Sequence, residues 1–316
     1  MEGRLINNRL EDWVHVYKRR EDTFQIFYSI RDFLVYFTLF CTVAKRKGVR
    51  VHALTLMYDH IHELISVDSQ QHLKEFEREV NSIFAREWNR SVRVCGSFFA
   101  PFGSALKRGE KYIRNAVAYL ANNPVERHLV SKVEAYRWNF LAYAQSDHPF
   151  SGGFRSHHCS SALEQGIKQV RYLHKGGHYL DYPVLERLVS RVPEAELPIL
   201  TDAIISIYNV IDYQSCIDLY GDFPTMLTAI NANTGNEHDI KEVFTGTSDR
   251  VYLKMMNSMR KKYALENYKS VISWPTETKA ALIDPLRRAS GASYKQACKF
   301  LHYTAPLLQY HAELTI

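Results

Sequence analysis

Leu56–Ile65 reads LMYDHIHELI, and the way this stretch is read decides the fold. Along a strand side chains alternate between faces, so residues two apart point the same way. Tyr58-Asp59 is turn-like, because aspartate tolerates the left-handed region and bonds its own backbone. A strand starting just after it sends Ile61, Glu63 and Ile65 to one face and His60, His62 and Leu64 to the other. Two imidazoles on one side of a sheet are either ordinary residues of a half-buried strand or two ligands of one divalent metal. In a chain with 14 histidines both readings stay open on the pair alone. Glu63 lies on the opposite face, where a buried carboxylate is costly unless paired.

The segments around this stretch set its context. Trp13–Tyr17 (WVHVY) is β-branched and aromatic and predicts a first strand. Ser29 caps a helix that runs through FLVYFTLFCTVA to about Lys47, with Gly48 as its stop. Val49–Met57 predicts a second strand. After Ser69 the spacing of Leu73, Phe76, Val80, Ile83 and Phe84 is helical. Val92–Phe99 (VRVCGSFF) reads as a strand leading into a loop, APFGSALKRG. Lys111–Asn122 is helical again and should end before Pro124, since the residue before proline is pushed out of the α region. The order strand, helix, strand, strand, helix, strand, helix predicts an α+β domain: an antiparallel sheet with helices on one face.

Asp147–His158 (DHPFSGGFRSHH) turns loop-like and divides the chain into residues 1–150 and a mostly α-helical region, 151–316. Within the latter, residues 276–303 outline two short helices about Gly291. They read as a helix-turn-helix displaying Tyr294, Lys295, Gln296 and Lys299, or as a plain helical hairpin in which Pro285 interrupts the first helix. The loop cluster Glu237, His238 and Asp239 has no partner set and receives no role.

Composition bounds the class. A chain of 316 residues, 46% hydrophobic, can bury a sizeable core, and a net charge of +6 is compatible with a nucleic-acid partner without establishing one. The five cysteines include no CxxC pair, which points away from a disulfide framework or a thiolate zinc site and toward a reducing cytoplasm. The most apolar run, Phe33–Ala44, is shorter than the roughly 20 residues that span a bilayer. The first residues lack the layout of a signal peptide, so the expectation is a cytoplasmic protein without a membrane partner.

Ala118–Val130 reads AYLANNPVERHLV. Tyr119 and Asn123, four apart, share one helical face. A phenol and an amide oxygen there could approach a metal held by the histidines, and an amide oxygen suits Mg²⁺ or Mn²⁺. The plain alternative is a core tyrosine followed by an Asn-Pro helix stop. Tyr112, seven residues earlier, is a rival nucleophile that lacks an asparagine four residues on. Lys18, Arg19, Lys107, Arg108 and Lys111 are candidates for phosphate contact, or simply solvated charges.

Taken together, DHIH, YLANNP and EAYRWNFLAYA resemble the REP-associated tyrosine transposases of the IS200/IS605-like group, which are HUH single-strand endonucleases. MYDHIHELI stands where that family reads close to MPNHVHLLI. YLANNPVERHLV stands for YIxxNPVRAGLV, YRWNFLAY for YRWSSYxxY, and HVYKRRED for the opening HVYNRG. The resemblance covers about Trp13–Ala144.

It implies a ferredoxin-like HUH fold in which His60, His62 and Asn123 hold Mg²⁺ or Mn²⁺ and Tyr119 is the nucleophile. The substrate implied is single-stranded DNA with hairpin-containing ends. Attack on phosphorus would leave a 3′-hydroxyl and a 5′-phosphotyrosine, with the cation as Lewis acid. Dimerisation occurs among relatives, so a homodimer is an open expectation. The chain departs from the pattern at Tyr58-Asp59 (Pro-Asn), Glu63 (leucine) and Glu126–His128 (Arg-Ala-Gly). None of these removes a proposed catalytic residue, but they keep an alternative alive: a catalytically silent DNA-binding or regulatory protein derived from a transposase.

Overall fold

Four strands form one antiparallel sheet in the computed structural model, which describes residues 12–22, 24–152, 159–232, 248–263 and 268–304. They are β1 (Trp13–Arg19), β2 (Arg50–Leu56), β3 (His60–Ser66) and β4 (Gly103–Lys107), in the spatial order β2-β3-β1-β4. Helix α1 (Ile30–Lys47) joins β1 to β2, and α2 (Gln70–Val92) joins β3 to β4. This is the split βαβ arrangement of ferredoxin-like domains. The local signals that build α1 act as read from the sequence. Ser29 accepts the Asp32 amide within a capping box, and Gly48 closes the helix at φ 67°, a left-handed conformation that glycine takes without penalty.

The sheet is covered on both faces rather than one. Val14, Val16, Ile61 and Ile65 pack with Phe33, Tyr36, Phe40, Phe76 and Phe84 of α1 and α2. On the other face, Ala53 and Leu64 pack against α3 (Glu110–Glu126) through Ala116, Tyr119 and Leu120. The histidine side of β3 therefore faces a helix.

Two local expectations fail for identifiable reasons. Val92–Phe99 is not a strand: α2 runs on to Val92, and Arg93 ends it in the left-handed region at φ 58°. The apolar residues there pack as a loop, with the Phe98 ring 4.9 Å from that of Trp88. The fourth strand is instead Gly103–Lys107, an edge strand whose Gly-Ser-Ala start carries little apolar signal. Nor does Pro124 end α3, which continues to Glu126. Proline removes the amide that would bond the Leu120 carbonyl. The Thr55 hydroxyl on β2 donates to that carbonyl at 3.0 Å and takes the amide's place.

Glu63 finds its partner in the core. Its carboxylate forms an ion pair with Lys18 and accepts the Tyr36 hydroxyl at 2.7 Å, while the Lys18 ammonium also donates to Glu77 at 2.9 Å. All three side chains of the Lys18–Glu63–Glu77 set are fully buried. Burial opposes the charge on Lys18, yet the two carboxylates hold it above its usual range. Burial, with Glu63 beside it, pushes the Glu77 carboxyl well up. Lys18 is thus unavailable to DNA, a correction that follows from strand alternation: it shares a face with Val14 and Val16.

The remaining helices are α4 (Ser161–Lys175), α5 (Tyr182–Val189), α6 (Leu197–Tyr208), α7 (Tyr213–Asp218), α8 (Phe223–Ala232), α9 (Arg250–Tyr263), α10 (Thr276–Ser290) and α11 (Tyr294–Leu301). Their apolar residues, among them Leu163, Ile204, Met255 and Phe300, join the core of α1 and α2 without a break. Polar contacts tie the same joint. Asp32 pairs with Lys269 at 2.6 Å and accepts the Tyr182 hydroxyl at 2.7 Å. The hairpin at 276–303 does form, with Pro285 inside α10 and Gly291 as its cap. One face of its second helix is buried, through Gln296, Ala297, Cys298, Phe300 and Leu301. Of the residues read as displayed, Lys295 is exposed, Tyr294 and Lys299 are half-buried and Gln296 is buried, a packing common to a plain hairpin and a helix-turn-helix. The first eleven residues, the Glu237–Asp239 cluster and residues 153–158 lie outside the described residues. Among the described residues no helix is long and apolar enough to cross a membrane.

Two predictions follow from this packing. Lys18→Met leaves two buried carboxyl groups without their cation, and the unfolding free energy in denaturant should fall by about 3–5 kcal/mol. A loss below about 1 kcal/mol would contradict the packing. The second concerns His52, stacked on Trp13 at 3.6 Å and bonded by Ser215 at 2.7 Å and Ser66 at 2.8 Å. Burial, helped by Arg50, lowers its pKa to about 3. The unfolded chain takes up this proton near pH 6.5 and the folded chain does not. His52 is therefore neutral for stability above pH 6.5 and costs stability as pH falls below it. Between pH 7.5 and 5.5, His52→Gln should lose about 1.4 kcal/mol less than wild type. Parallel losses in the two proteins would count against it.

Candidate active site

β3 begins right after the Tyr58-Asp59 turn, so its first and third residues, His60 and His62, point toward α3. The β1 register sets Tyr17 opposite His62 and His15 opposite Leu64. Aromatic rings therefore wall the histidines: Tyr17 lies 5.1 Å from His62 and 5.8 Å from His60. From the other side α3 brings Asn123, and one turn earlier Tyr119, down onto the sheet. The four side chains His60, His62, Asn123 and Tyr119 are 2%, 0%, 2% and 7% exposed, so the site is closed.

The hydrogen-bond partners orient both histidine rings. His60 Nδ1 lies 2.7 Å from Asp59 Oδ1 and donates to it. Its Nε2 turns inward, to 3.1 Å from Asn123 Oδ1. His62 Nε2 accepts from Asn123 Nδ2 at 3.1 Å, and its Nδ1 donates to His15 Nε2, also at 3.1 Å. Burial, followed by the neighbouring His60, His15 and Arg127, holds His62 well below its usual pKa and thus neutral. Two imidazole Nε2 atoms and one amide side chain converge. His60 Nε2 and Asn123 Oδ1 lie 3.1 Å apart, a spacing that a proton on the imidazole or a cation between them satisfies. The far nitrogen of His60 is held by a carboxylate, the usual support behind a metal-ligating histidine.

This donor set fits a divalent cation such as Mg²⁺ or Mn²⁺. Among the described residues, no group of three or more His, Cys, Asp or Glu side chains could hold a metal, so the third donor here would be the amide. The Tyr119 ring stands edge-on to His62 at 5.2 Å and tilted to His15 at 5.8 Å. Tyr112, by contrast, is 60% exposed and turned away from the histidines. The neighbouring amide, Asn122, points the other way and donates to the Ile230 carbonyl of α8 at 2.7 Å. The Asn-Asn pair thus ties α3 to two elements at once.

The candidate phosphate contacts scatter. Lys18 and Lys107 are buried, at 0% and 1% exposure, and so are corrected as DNA ligands. Arg108 is half-exposed and bonds both oxygens of Asp12 at 3.1 Å. Arg19 and Lys111 are exposed.

Several residues of the site went unread in the sequence. His15 and Asp59 adjoin the motifs and read from the sequence as plain strand and turn residues. Asp59 was legible in principle, since a carboxylate directly before a candidate ligand is a natural second layer. Burial opposes its charge, but Lys299 and then His60 hold its carboxyl well below the usual range. Lys299 reaches Asp59 Oδ2 at 2.7 Å from α11. Asp249 donates its backbone amide to the Arg127 carbonyl at 3.0 Å, and burial with Asp59 nearby raises its carboxyl to about 7. No local pattern links either residue to β3.

The family model described as transposase, IS200 like, matches residues 12–123. Among solved structures, one titled "Structure of the REP associates tyrosine transposase bound to a REP hairpin" aligns with a TM-score of 0.37 and 16% identity. That alignment covers 44% of this chain and 80% of the other. No protein of curated function matches the chain. The residues matched by the IS200-like transposase model carry the two histidines of β3 and both Tyr119 and Asn123 of α3.

Proposed function

We propose that the chain is a metal-dependent endonuclease and strand transferase of single-stranded DNA, working through a 5′-phosphotyrosine on Tyr119. One observation carries the reading: His60 Nε2 and His62 Nε2 meet the Asn123 carboxamide at 3.1 Å each, and the Tyr119 ring packs edge-on against His62. The hairpin-containing substrate enters only from the family.

In this reading His60, His62 and Asn123 hold Mg²⁺ or Mn²⁺, which supplies Lewis-acid polarisation of a phosphate oxygen. Asp59 keeps the His60 proton on Nδ1, and His15 does the same for His62, so both Nε2 lone pairs stay available. Tyr119 Oη attacks phosphorus. The bond to the 5′ side of the break forms as the P–O3′ bond opens; the phenol gives up its proton and the departing oxygen takes one up as a 3′-hydroxyl. The phosphotyrosine keeps the energy of the phosphodiester. A second 3′-hydroxyl then attacks the same phosphorus, restores a phosphodiester and releases the tyrosine. A free phenol titrates near 10 and is a weak nucleophile at neutral pH, so Tyr119 depends on positive charge beside it.

A second reading also has an observation behind it. The site is closed, and a chain whose Tyr119 never meets a phosphate would bind DNA without cutting it. One assay separates the two. Labelled single strands are incubated with the protein and Mn²⁺, and adducts surviving denaturation are counted. Wild type and Tyr112→Phe should give a protein–DNA adduct, while Tyr119→Phe and His60→Ala should abolish it. Wild type that binds the strand yet leaves no adduct would establish the silent binder instead.

A further inference from the structure

We propose that Lys299 of α11 is a positioning residue for this site, acting through Asp59 to hold His60 in the tautomer and orientation that ligate a cation. The inference rests on reading His60 as a metal ligand. It adds a residue from outside the family segment 12–123, in a helical region that the catalytic reading leaves without a task.

The geometry is a relay with one partner on each carboxylate oxygen. Lys299 Nζ lies 2.7 Å from Asp59 Oδ2, and Asp59 Oδ1 lies 2.7 Å from His60 Nδ1. Asp59 and Lys299 side chains are 11% and 20% exposed, so this is no solvated surface pair. With one oxygen taken by the ammonium, the carboxylate has a single oxygen left for His60, and its plane is set. A carboxylate lacking that anchor is free to rotate and to seek water, and the Nδ1 proton loses its fixed acceptor. Second-layer partners of this kind set the tautomer and basicity of a ligating imidazole.

Both ends of the relay are held by backbone. On one side the turn is fixed, because the Tyr58 carbonyl accepts the Ile26 amide at 2.7 Å and the Met57 amide donates to the His60 carbonyl at 2.9 Å. On the other, α11 starts at a capping box made by Ser293 and Gln296. Gln296 also donates to the Ser248 carbonyl at 3.1 Å. The Tyr28 hydroxyl donates to the Phe300 carbonyl at 2.9 Å, beside Lys299 itself. Neither Asp59 nor Lys299 has to pay much side-chain entropy to meet, because the fold delivers both.

The test uses the full chain and Mn²⁺ alone as the probe, with free Mn²⁺ followed by electron paramagnetic resonance and folding followed by thermal melts. Lys299→Met should weaken Mn²⁺ binding roughly tenfold, the lower end of what second-layer losses cause. Lys299→Arg, which keeps a cation on Asp59, should restore most of it. Asp59→Asn should weaken binding as well, and adding Lys299→Met to it should change little further, because the lysine acts through the carboxylate. Unchanged Mn²⁺ affinity in Lys299→Met, even with a lower melting temperature, would overturn the inference and leave the metal reading intact. Losses that multiply in the double variant would also overturn it, since Lys299 would then act by another route. Wild type that binds no Mn²⁺, or binds it equally after His60→Ala, would remove the metal reading and this inference together.

Discussion

The register of β1 on β3 is the constraint on which the rest depends. Tyr17 stands opposite His62 and Val16 opposite Glu63, so the aromatic wall meets the histidines on one face while Lys18 meets Glu63 on the other. Because the side-chain period is two, a slip of one residue would send both imidazoles into the α1–α2 core and turn the ion pair toward α3. Apolar residues alone would specify this register weakly here, since both faces of the sheet are buried. The Lys18–Glu63–Glu77 set specifies it sharply: a displaced lysine would leave buried carboxyl groups uncompensated, at a cost of several kcal/mol. A buried ion pair need not raise net stability to do this; it needs only to make the alternatives worse. The polar core beneath the sheet thereby fixes the site above it.

The second requirement is that α3 reach far enough along the sheet, and here a proline that ought to stop the helix does not. Asn123 must be helical to share a face with Tyr119, yet Pro124 follows it directly. Thr55 resolves the conflict by donating its hydroxyl to the carbonyl that proline leaves without an amide, at 3.0 Å. Thr55 stands opposite His62 in the β2–β3 register, so the group that repairs the helix projects from the same face as the imidazoles. Asn139 adds a second tie to the same helix end, donating to the Ala121 carbonyl at 2.7 Å. The histidines, the threonine and the asparagine are parts of one joint between sheet and helix.

What the sequence disclosed and what it concealed divide by range. Ser29 and Gly48 bound α1 through contacts within a turn of themselves, and the alternation from His60 to Ile65 needs only its own period, so both were legible. The convergence of His60, His62, Asn123 and Tyr119 became legible through three spaced motifs rather than from any one of them. β4 escaped notice because an edge strand of small residues has almost no apolar period, while the apolar run before it packs as a loop against Trp88. Lys18 looked like surface charge because its two partners lie on β3 and α2. Lys299 and Asp249 were illegible in principle, since each meets the site only after the C-terminal helices have docked on α1 and α2.

That docking also bears on how a closed site can serve a polymer. A phosphate can approach Tyr119 only if something moves, and the cost of moving is unevenly distributed. The sheet, α1 and α2 share a continuous apolar core, and displacing any of them exposes many large side chains. The elements around the histidines are also tied by polar contacts, among them Asn122 to the Ile230 carbonyl, Gln296 to the Ser248 carbonyl, and Lys299 to Asp59. Neutral hydrogen bonds contribute about 0.5–1.5 kcal/mol each, and one to a charged group about 1.5–3 kcal/mol. Opening there costs these ties together with the apolar contacts of α8 and α11, whose Ile230 and Phe300 are buried. Burial of the four site residues therefore describes a closed arrangement and does not by itself decide between a cutter and a silent binder.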